Sequence, residues 1–348
     1  MAATQGLLPT GALNLIMAMR ILRDLAQARP LFLRNASAHP AQVSPRPPGS
    51  YVTVGVFDGV HRGHQVLIAT MVEAAHSTHH AAVALNFDPH PATALGYEPP
   101  PLLTTVEERV DLLDALGLDV LVMLPFTKAT ARTPATDFVD PLLHHLHLSE
   151  LWGGPDFALG YRREGNISFL QRLGAERGFA VRIVEPLVWE GKVVSSSRVR
   201  SALESGDIPQ ATGCLGRPYR LAEPVVRGDG RGHTIGIPTA NISPPPERLI
   251  PARGIYVCLA HTEHSGTYAA VVNIGTRPTF TTDHLVIEAH LLDFRGDLYG
   301  QVLALDFIAR LRDEWAFPSA DALVEQIHKD IAQARTVLGG AKATGEVD

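Results

Sequence analysis

The chain has 348 residues, a length that suggests two ordinary domains rather than one. Its hydrophobic fraction of 45% and charged fraction of 19% supply material for packed cores and exclude a largely disordered chain. The formal net charge of -6, with histidine taken as neutral, argues against a protein that binds nucleic acid through an overall basic surface.

Cysteine usage and hydropathy predict a cytoplasmic protein. Cys214 and Cys258 are far apart and form no metal or redox motif, as expected in a reducing compartment. No run of about 18 uninterrupted apolar residues predicts a membrane helix. The N-terminal apolar patch lacks a preceding basic segment and a clear cleavage site, so we interpret residues 1–18 as a non-secretory extension without a role in the fold.

Strands and helices alternate through the first half of the chain. β-Branched and apolar runs predict strands over 51–57, 81–87, 118–126 and 180–189. Apolar residues at helical spacing predict helices over 63–80, 105–117 and 133–147. This alternation predicts a parallel, doubly wound α/β sheet, which binds ligands where the carboxyl ends of strands meet helix N-termini.

The pattern changes near Arg217. Short β-rich runs separated by glycine and proline turns predict an antiparallel β-barrel, followed by a C-terminal helix with a serine N-cap over 319–338. We place the boundary between Glu204 and Gly216. The predicted organisation is an N-terminal domain at 19–204, a linker at 205–216, a barrel domain at 217–338 and a tail at 339–348.

The segment "VGVFDGVHRGH", residues 54–64, lies between a predicted strand and a predicted helix. Gly55 and Gly59 permit a close approach of backbone to a ligand or a positive φ. The helix that begins near His61–Gly63 presents free amides and a positive dipole end to an anion. His61 and His64 share one helix face, from which both reach one phosphate. The alternative is a tight turn whose histidines only cap or pack.

A second motif, "VSSSRVR", spans residues 194–200 at the start of a predicted helix. Ser195, Ser196 and Ser197 supply hydroxyls, and Arg198 and Arg200 supply cations, a set that suits a triphosphate. The alternative is an ordinary serine N-cap followed by solvated arginines.

A third motif, "GDGRGHTIGIPTAN", spans Gly228 to Asn241. It is not the dinucleotide fingerprint because Pro238 forbids a helix directly behind the glycines, and the chain contains no P-loop. Thr239 and Asn241 alternate onto one strand face and offer oxygen ligands for Mg²⁺. The alternative is a β-hairpin loop without a ligand. The glycines of the predicted phosphate-covering flap are Gly228, Gly230, Gly232 and Gly236.

Four segments of the first half, in this order, resemble one family: "VTVGVFDGVHRGHQVLI", "LNFDPHP", "GGPDFALGYRREGN" and "VSSSRVR". They are similar to the FMN adenylyltransferase half of the bacterial bifunctional riboflavin kinase/FAD synthetases, a branch of the Rossmann-like nucleotidyltransferases. The resemblance implies that His61 and His64 polarise the phosphates of ATP. It assigns further nucleotide or flavin contacts to Gly55, Phe57, Asp58, Gly63, Phe87, Pro89, Asp156, Ser196, Ser197 and Arg200. Leu159 departs from the family, which often has an aromatic residue there.

The second half resembles the riboflavin kinase domain of the same family through "GRGHTIGIPTANI", "PARGIYV", "NIGTRPTF" and "IEAHLLDFRGDLYG". The resemblance implies that Thr239 and Asn241 hold Mg²⁺ with the ATP phosphates. It also implies that Glu288 is the general base for the riboflavin 5′-hydroxyl. From spacing alone, Glu288 is equally an exposed strand residue. His233 stands where the family often has arginine or lysine.

The resemblance therefore implies a two-domain enzyme that makes FMN from riboflavin and ATP, and FAD and pyrophosphate from FMN and ATP. Its implied partners are small molecules, with no nucleic acid and no membrane, and its oligomeric state is left open. Two alternatives are an adenylyltransferase for another acceptor, such as a pantetheine or nicotinamide mononucleotide, and a flavin-binding regulator without catalysis. We interpret two histidine groups as solvated helix faces rather than metal ligands: His76, His79 and His80, and His144, His145 and His147.

Overall fold

The computed structural model describes residues 19–32, 48–228, 236–278 and 283–341. These residues form two compact units. The first unit takes the described residues of Met1–Gly55, Ile68–Ala94 and Asp111–Ile183. The second takes those of Val56–Leu67, Leu95–Val110 and Val184–Asp348.

The first unit contains a six-stranded parallel sheet with a two-stranded ribbon. The sheet strands are β1 (Arg20–Leu22), β2 (Ser50–Gly55), β3 (Ala81–Asp88), β4 (Val120–Pro125), β5 (Leu148–Gly153) and β8 (Ala180–Ile183), and the ribbon strands are β6 (Ala158–Leu159) and β7 (Gly165–Asn166). The spatial order of the sheet is β1-β4-β3-β2-β5-β8. The predicted parallel α/β fold is confirmed.

The helices that accompany this sheet are α1 (Arg29–Phe32), α2 (Arg62–Ser77), α3 (Pro91–Ala94), α4 (Val106–Asp114), α5 (Ala135–Leu146) and α6 (Ile167–Arg177). Strand β4 is buried at Val120, Leu121 and Val122, as its nearly continuous apolar run predicts for a strand covered on both faces. The first residues of α2, and most of α4, belong to the second unit.

Strand β5 was not predicted from the sequence, because the carboxylate of Glu150 interrupts the hydrophobic pattern of "LSELWG". Glu150 is buried, and its carboxylate accepts hydrogen bonds from Trp152 Nε1 (3.0 Å) and from Arg182 Nε (2.9 Å) and Nη2 (2.7 Å). A buried carboxylate is tolerated where such partners satisfy it, and Arg182 comes from β8, which pairs with β5 but is 32 residues away along the chain. The prediction of one strand over 180–189 was also wrong, since β8 ends at Ile183 and Pro186 follows.

The second unit contains a closed six-stranded barrel in which every neighbouring pair is antiparallel, as predicted. The barrel strands are β11 (Tyr219–Val226), β12 (Ala240–Ile242), β13 (Gly254–Thr262), β14 (Gly266–Pro278), β15 (Asp283–Leu291) and β16 (Val302–Arg312), in the spatial order β11-β12-β15-β14-β13-β16. The other elements are the hairpin of β9 (Val188–Trp189) and β10 (Lys192–Val193) and the helices α7 (Ser196–Ser205), α8 (Ile208–Leu215) and α9 (Ala320–Ala341).

The C-terminal helix α9 packs on the outer face of the barrel. Ile331 and Ala334 contact Ile255 and Val257 in a small apolar cluster. Beside it, the guanidinium of Arg312 pairs with the buried carboxylate of Asp330 at 2.7 Å. The predicted barrel with a C-terminal helix is confirmed.

Residues 205–216, expected to be a linker, contain helix α8. Asp207 caps it by accepting a hydrogen bond from the Gln210 amide at 3.0 Å, and a proline follows at the helix start. Ile208 and Ala211 are fully buried in the core of the second unit. The sequence "DIP" is a typical helix start, so helix α8 could have been predicted from the sequence. The boundaries of the domains stay a prediction.

Candidate functional site

The segment between β2 and α2 forms a strained loop. Phe57, Gly59 and Val60 have φ values of 51°, 80° and 37°. Non-glycine residues rarely adopt positive φ, and such strain concentrates at ligand sites because surrounding contacts must enforce it. Helix α2 begins at Arg62, directly after His61, as predicted. The loop therefore places His61 at the N-terminus of α2.

His61, the last residue of that loop, and His64, in the first turn of α2, lie face to face. Their ring centroids are 3.7 Å apart with an interplanar angle of 17°, and the His64 amide donates to His61 Nδ1 at 3.3 Å. Gly63 allows this packing, since a Cβ there would lie 3.1 Å from His61 Cε1. Phe57 is buried and its ring meets the His64 ring edge-on at 5.3 Å. Phe57 therefore supports the histidine pair.

Burial keeps both imidazoles uncharged. Desolvation lowers the pKa of His61 to about 4. Desolvation, followed by the electrostatic influence of the neighbouring His61 and of the Arg109 guanidinium, lowers the pKa of His64 well below its ordinary value. At neutral pH the pair therefore consists of two neutral rings, each with one N–H to donate.

Asp58 is buried and holds the loop from inside. Its carboxylate accepts hydrogen bonds from the amides of Leu103 (3.0 Å) and Thr104 (3.1 Å) and forms an ion pair with the Arg200 guanidinium. Both carboxylate oxygens are used by these contacts. The structure therefore shows Asp58 as a residue that holds the loop to the Leu103–Thr104 segment and to Arg200. Its predicted place in the ligand pocket stays a prediction.

The serine-arginine motif, residues 194–200, contacts the strained loop that leads to His61, called here the histidine loop. The two residues that form the hydrogen bond, Ser196 and Asp58, are 138 positions apart in sequence. Ser196 Oγ donates to the Asp58 carbonyl at 3.0 Å. Ser195 is the N-cap of α7, as its alternative interpretation requires, and accepts from the Arg198 amide. Ser197 is exposed beside it. The N-termini of α2 and α7 therefore converge, and their dipoles favour an anion at this point.

The other predicted nucleotide and flavin contacts lie in the first unit. Gly55 ends β2, and Phe87 packs against Phe126 with ring centroids 5.0 Å apart. Asp156 is exposed, and its carbonyl accepts from Arg163 Nη2 at 2.6 Å. Leu159 is 8% exposed within the core of this unit. At this position, where the family often has an aromatic residue, the aliphatic side chain of Leu159 thus packs in the core. Pro89, also predicted to line the pocket, follows β3 through a cis peptide bond.

On the barrel, cross-strand pairing brings together the residues predicted for the kinase. Glu288 on β15 is the Cα partner of Asn241 on β12 and, on its other side, of Asn273 on β14. Their strand neighbours, including Ile242 and Ile287, fill the barrel core, so these three side chains face outward by strand alternation. Thr239 immediately precedes β12. The structure thus brings an oxygen-rich row to one outer face.

The flap glycines are only partly described. Gly230, Gly232 and the departure at His233 lie outside the described residues. Gly228 lies against Asn241: a Cβ at Gly228 would be 2.7 Å from Asn241 Oδ1. The glycine is therefore needed for a close approach to the amide. Gly236 has a φ of 76°, which suits glycine, and nothing described lies within 4 Å of its Cβ position.

Two residues of these sites were missed from the sequence. Asn273 is part of the quoted "NIGTRPTF" segment, but only the register of β14 places it beside Glu288. Arg217 was used as a domain boundary, yet its Nη2 donates to the Gly59 carbonyl at 2.8 Å and its Nη1 to the Val60 carbonyl at 3.3 Å. No local pattern signals either contact, because the partners are far apart along the chain.

Three histidines outside these sites contact other side chains. His76 Nε2 lies 3.0 Å from Asp119 Oδ2, the ring of His80 stacks on Tyr51, and the ring of His147 stacks on Phe32. Within the described residues, no group of three or more histidine, cysteine, aspartate or glutamate side chains is arranged to hold a metal ion. The same residues include no helix long and apolar enough to cross a membrane.

Two family models match successive parts of the chain. The model described as FAD synthetase matches residues 43–198, and the model described as riboflavin kinase matches residues 215–338. The first match covers the strained loop and the first four residues of "SSSRVR", Ser195 to Arg198, and the second covers the barrel.

Whole-chain relatives agree. A bifunctional riboflavin kinase/FMN adenylyltransferase of Pseudomonas fluorescens is 35% identical over 83% of this chain and 93% of that protein. The protein of that name from Bacillus subtilis is 34% identical over 82% of this chain and 91% of its own length. A solved structure described as a macrolide-efflux protein from Streptococcus pneumoniae has a TM-score of 0.76 and 29% identity, covering 85% of this chain and 96% of that chain. This chain belongs to the bifunctional riboflavin kinase/FMN adenylyltransferase family.

Proposed function

We propose that this chain phosphorylates riboflavin with ATP to FMN, and adenylylates FMN with ATP to FAD and pyrophosphate. Family membership supports both activities. The observation that carries the assignment is the pairing of Asn241 with Glu288 on the barrel, because an adenylyltransferase for another acceptor has no use for it. A regulator without catalysis is disfavoured, since His61, His64 and Glu288 are all present.

For the kinase, we assign the general base to Glu288. Its carboxylate would accept the proton of the riboflavin 5′-hydroxyl as the oxygen attacks the γ-phosphorus of ATP. Thr239 and Asn241 would hold Mg²⁺, for which hydroxyl and amide oxygens are suitable ligands. When bound, the cation neutralises charge on the ATP phosphates. The flap glycines, from Gly228 to Gly236, would cover those phosphates with backbone amides.

For the adenylyltransferase, the neutral His61 and His64 would donate hydrogen bonds to the phosphates of ATP at the meeting point of two helix N-termini. The FMN phosphate would attack the α-phosphorus directly and release pyrophosphate, so no side-chain nucleophile is required. Ser196, Ser197 and Arg200 would hold the triphosphate. Arg200 donates hydrogen bonds from Nε to the Pro101 carbonyl and from Nη2 to the Asp58 carboxylate. Its other N–H groups are left to bind an anion.

Small molecules are the proposed partners, and the cytoplasm is the proposed location. The two cysteines are buried and unpaired, as in proteins of a reducing compartment.

Product analysis tests the function. The full chain is incubated with riboflavin and Mg-ATP, and flavins are separated by chromatography. We expect FMN and FAD, and the proposal fails if neither forms. Glu288→Gln should reduce FMN formation at least about a hundredfold, since it removes the general base, while FAD synthesis from supplied FMN continues.

A matched control separates the base from general effects of a lost carboxylate. Glu325→Gln changes an exposed glutamate on α9 and should leave both activities at the wild-type level. Loss of FAD synthesis in Glu288→Gln would contradict separate sites for the two reactions.

A further inference from the structure

Asn273, on the outer face of the barrel, is a polar residue that the proposed kinase chemistry does not use. Asn273 lies on β14 as the cross-strand partner of Glu288. Its Oδ1 atom is buried, and no hydrogen-bond partner for it exists among the described residues. A buried carbonyl oxygen without a partner costs free energy, so its retention indicates an acceptor that a ligand completes.

The register orders three functional groups along one line. Asn241, Glu288 and Asn273 occupy successive strands β12, β15 and β14. Directly opposed residues of an antiparallel pair have Cβ atoms about 5 Å apart, so Glu288 has Asn241 on one side and Asn273 on the other at similar spacing. The outward direction of all three follows from the inward packing of Val272, Ile274 and Ile287.

This order separates the two substrates. Asn241 belongs with Thr239 to the proposed cation and phosphate side. Glu288 takes the reacting hydroxyl, so the rest of the alcohol substrate must extend away from the phosphates. Asn273 lies on that far side, within reach of the next hydroxyl of a polyol chain. An amide oxygen is an acceptor only, which suits a substrate hydroxyl that must donate.

We propose that Asn273 Oδ1 accepts a hydrogen bond from the riboflavin hydroxyl adjacent to the one that is phosphorylated, and thereby selects a polyol in the kinase site. This inference rests on the proposed kinase function. It makes Asn273 a substrate-binding residue rather than part of the proton transfer, which stays with Glu288.

Steady-state kinetics of the full chain test this role. Asn273→Ala should raise the KM for riboflavin about tenfold or more, because a substrate hydroxyl loses its acceptor, with the KM for ATP within about twofold of wild type. FAD synthesis from supplied FMN in the same preparation reports that the variant is folded. Thr267→Ala, on the same strand and face but six positions away, should change neither constant.

A substrate analogue makes the test specific to one hydroxyl. Wild type should lose about tenfold in kcat/KM with 4′-deoxyriboflavin, whereas Asn273→Ala should treat riboflavin and the analogue alike, since the interaction is already gone. An unchanged riboflavin KM in Asn273→Ala, or the same further loss with the analogue in the variant, would overturn the inference. Absence of FMN formation by wild type would instead overturn the kinase function itself.

Discussion

At the scale of single residues, the histidine pair shows how burial selects a chemical form. Stacking at 3.7 Å between His61 and His64 is compatible with neutral rings, whereas two charged rings at that distance would repel. The pKa of His61 is about 4, and that of His64 is lowered as well. The imidazoles are therefore suited to donate hydrogen bonds to phosphate at neutral pH without carrying a charge.

The lowered pKa of His61 predicts a specific pH dependence of stability. Below pH 6.5 the unfolded chain protonates this histidine, but the folded chain does so only near pH 4, so folding stability falls as pH drops through this interval. Between pH 7 and pH 5, His61→Asn should therefore lose about 2 kcal/mol less stability than wild type. Urea unfolding at a series of pH values measures the difference.

The exposed His264 supplies the control for this experiment. His264→Asn should follow the wild-type pH dependence, because the His264 side chain is 75% exposed and its hydration changes little on folding. Identical pH dependence in wild type and His61→Asn would show that His61 is accessible to protons in the folded chain.

At the scale of elements, the candidate adenylyltransferase site is an arrangement of helix ends around one buried carboxylate. Asp58 joins the loop before α2 to the Leu103–Thr104 segment through hydrogen bonds and to α7 through Arg200. The N-terminus of α7 is fixed to the same loop by Ser196. The positions of both helix dipoles therefore depend on this junction.

Breaking the Asp58–Arg200 pair should be costly. Asp58→Asn leaves a largely buried guanidinium without its counter-charge, so we expect the free energy of unfolding to fall by about 3 kcal/mol or more. Urea denaturation measures it. The double variant Asp58→Asn/Arg200→Gln should lose less than the sum of the single variants, since the residues are coupled.

The surface pair of Asp140 and Arg177 is the matched control. Both side chains are about half exposed, at 51% and 48%. Asp140→Asn should change stability by less than about 1 kcal/mol. Additive losses at Asp58 and Arg200 would refute their proposed coupling.

At the scale of the whole molecule, the compact units do not follow the two family matches. The FAD synthetase match covers 43–198, but the loop residues 56–67 and the start of α7 group with the barrel in the second unit. Arg217, inside the riboflavin kinase match, donates to the carbonyls of Gly59 and Val60. A residue of the kinase segment thus helps to shape the histidine loop.

Arg217 should therefore affect the reaction of the other segment. Arg217→Gln removes the two-carbonyl contact, and we expect the KM for ATP in FAD synthesis to rise about fivefold or more, with FMN formation unchanged. Arg335→Gln, which alters an exposed ion pair with Asp293, is the control and should affect neither reaction. An equal effect of Arg217→Gln on both reactions would indicate a general loss of structure instead.

Much of the fold could be predicted because it depends on patterns among residues that are close together in the sequence. The nearly continuous apolar run of β4, the glycine and proline turns of the barrel, and the cap at Ser195 are short-range signals, and the structure confirms them. Strand β5 was missed because Glu150 is acceptable there only with Arg182 as a partner. Helix α8 was missed although its "DIP" start was visible.

The sequence by itself determined the two-part organisation, the family, and the residue types that phosphate chemistry needs. Those properties depend on composition, on periodicity and on motifs whose members are neighbours along the chain. Tertiary structure alone decided that Asp58 is an anchor, that the histidines are neutral, that Asn273 stands beside Glu288 and that Arg217 reaches the histidine loop. Burial and strand register set these features, and both depend on residues far apart in sequence.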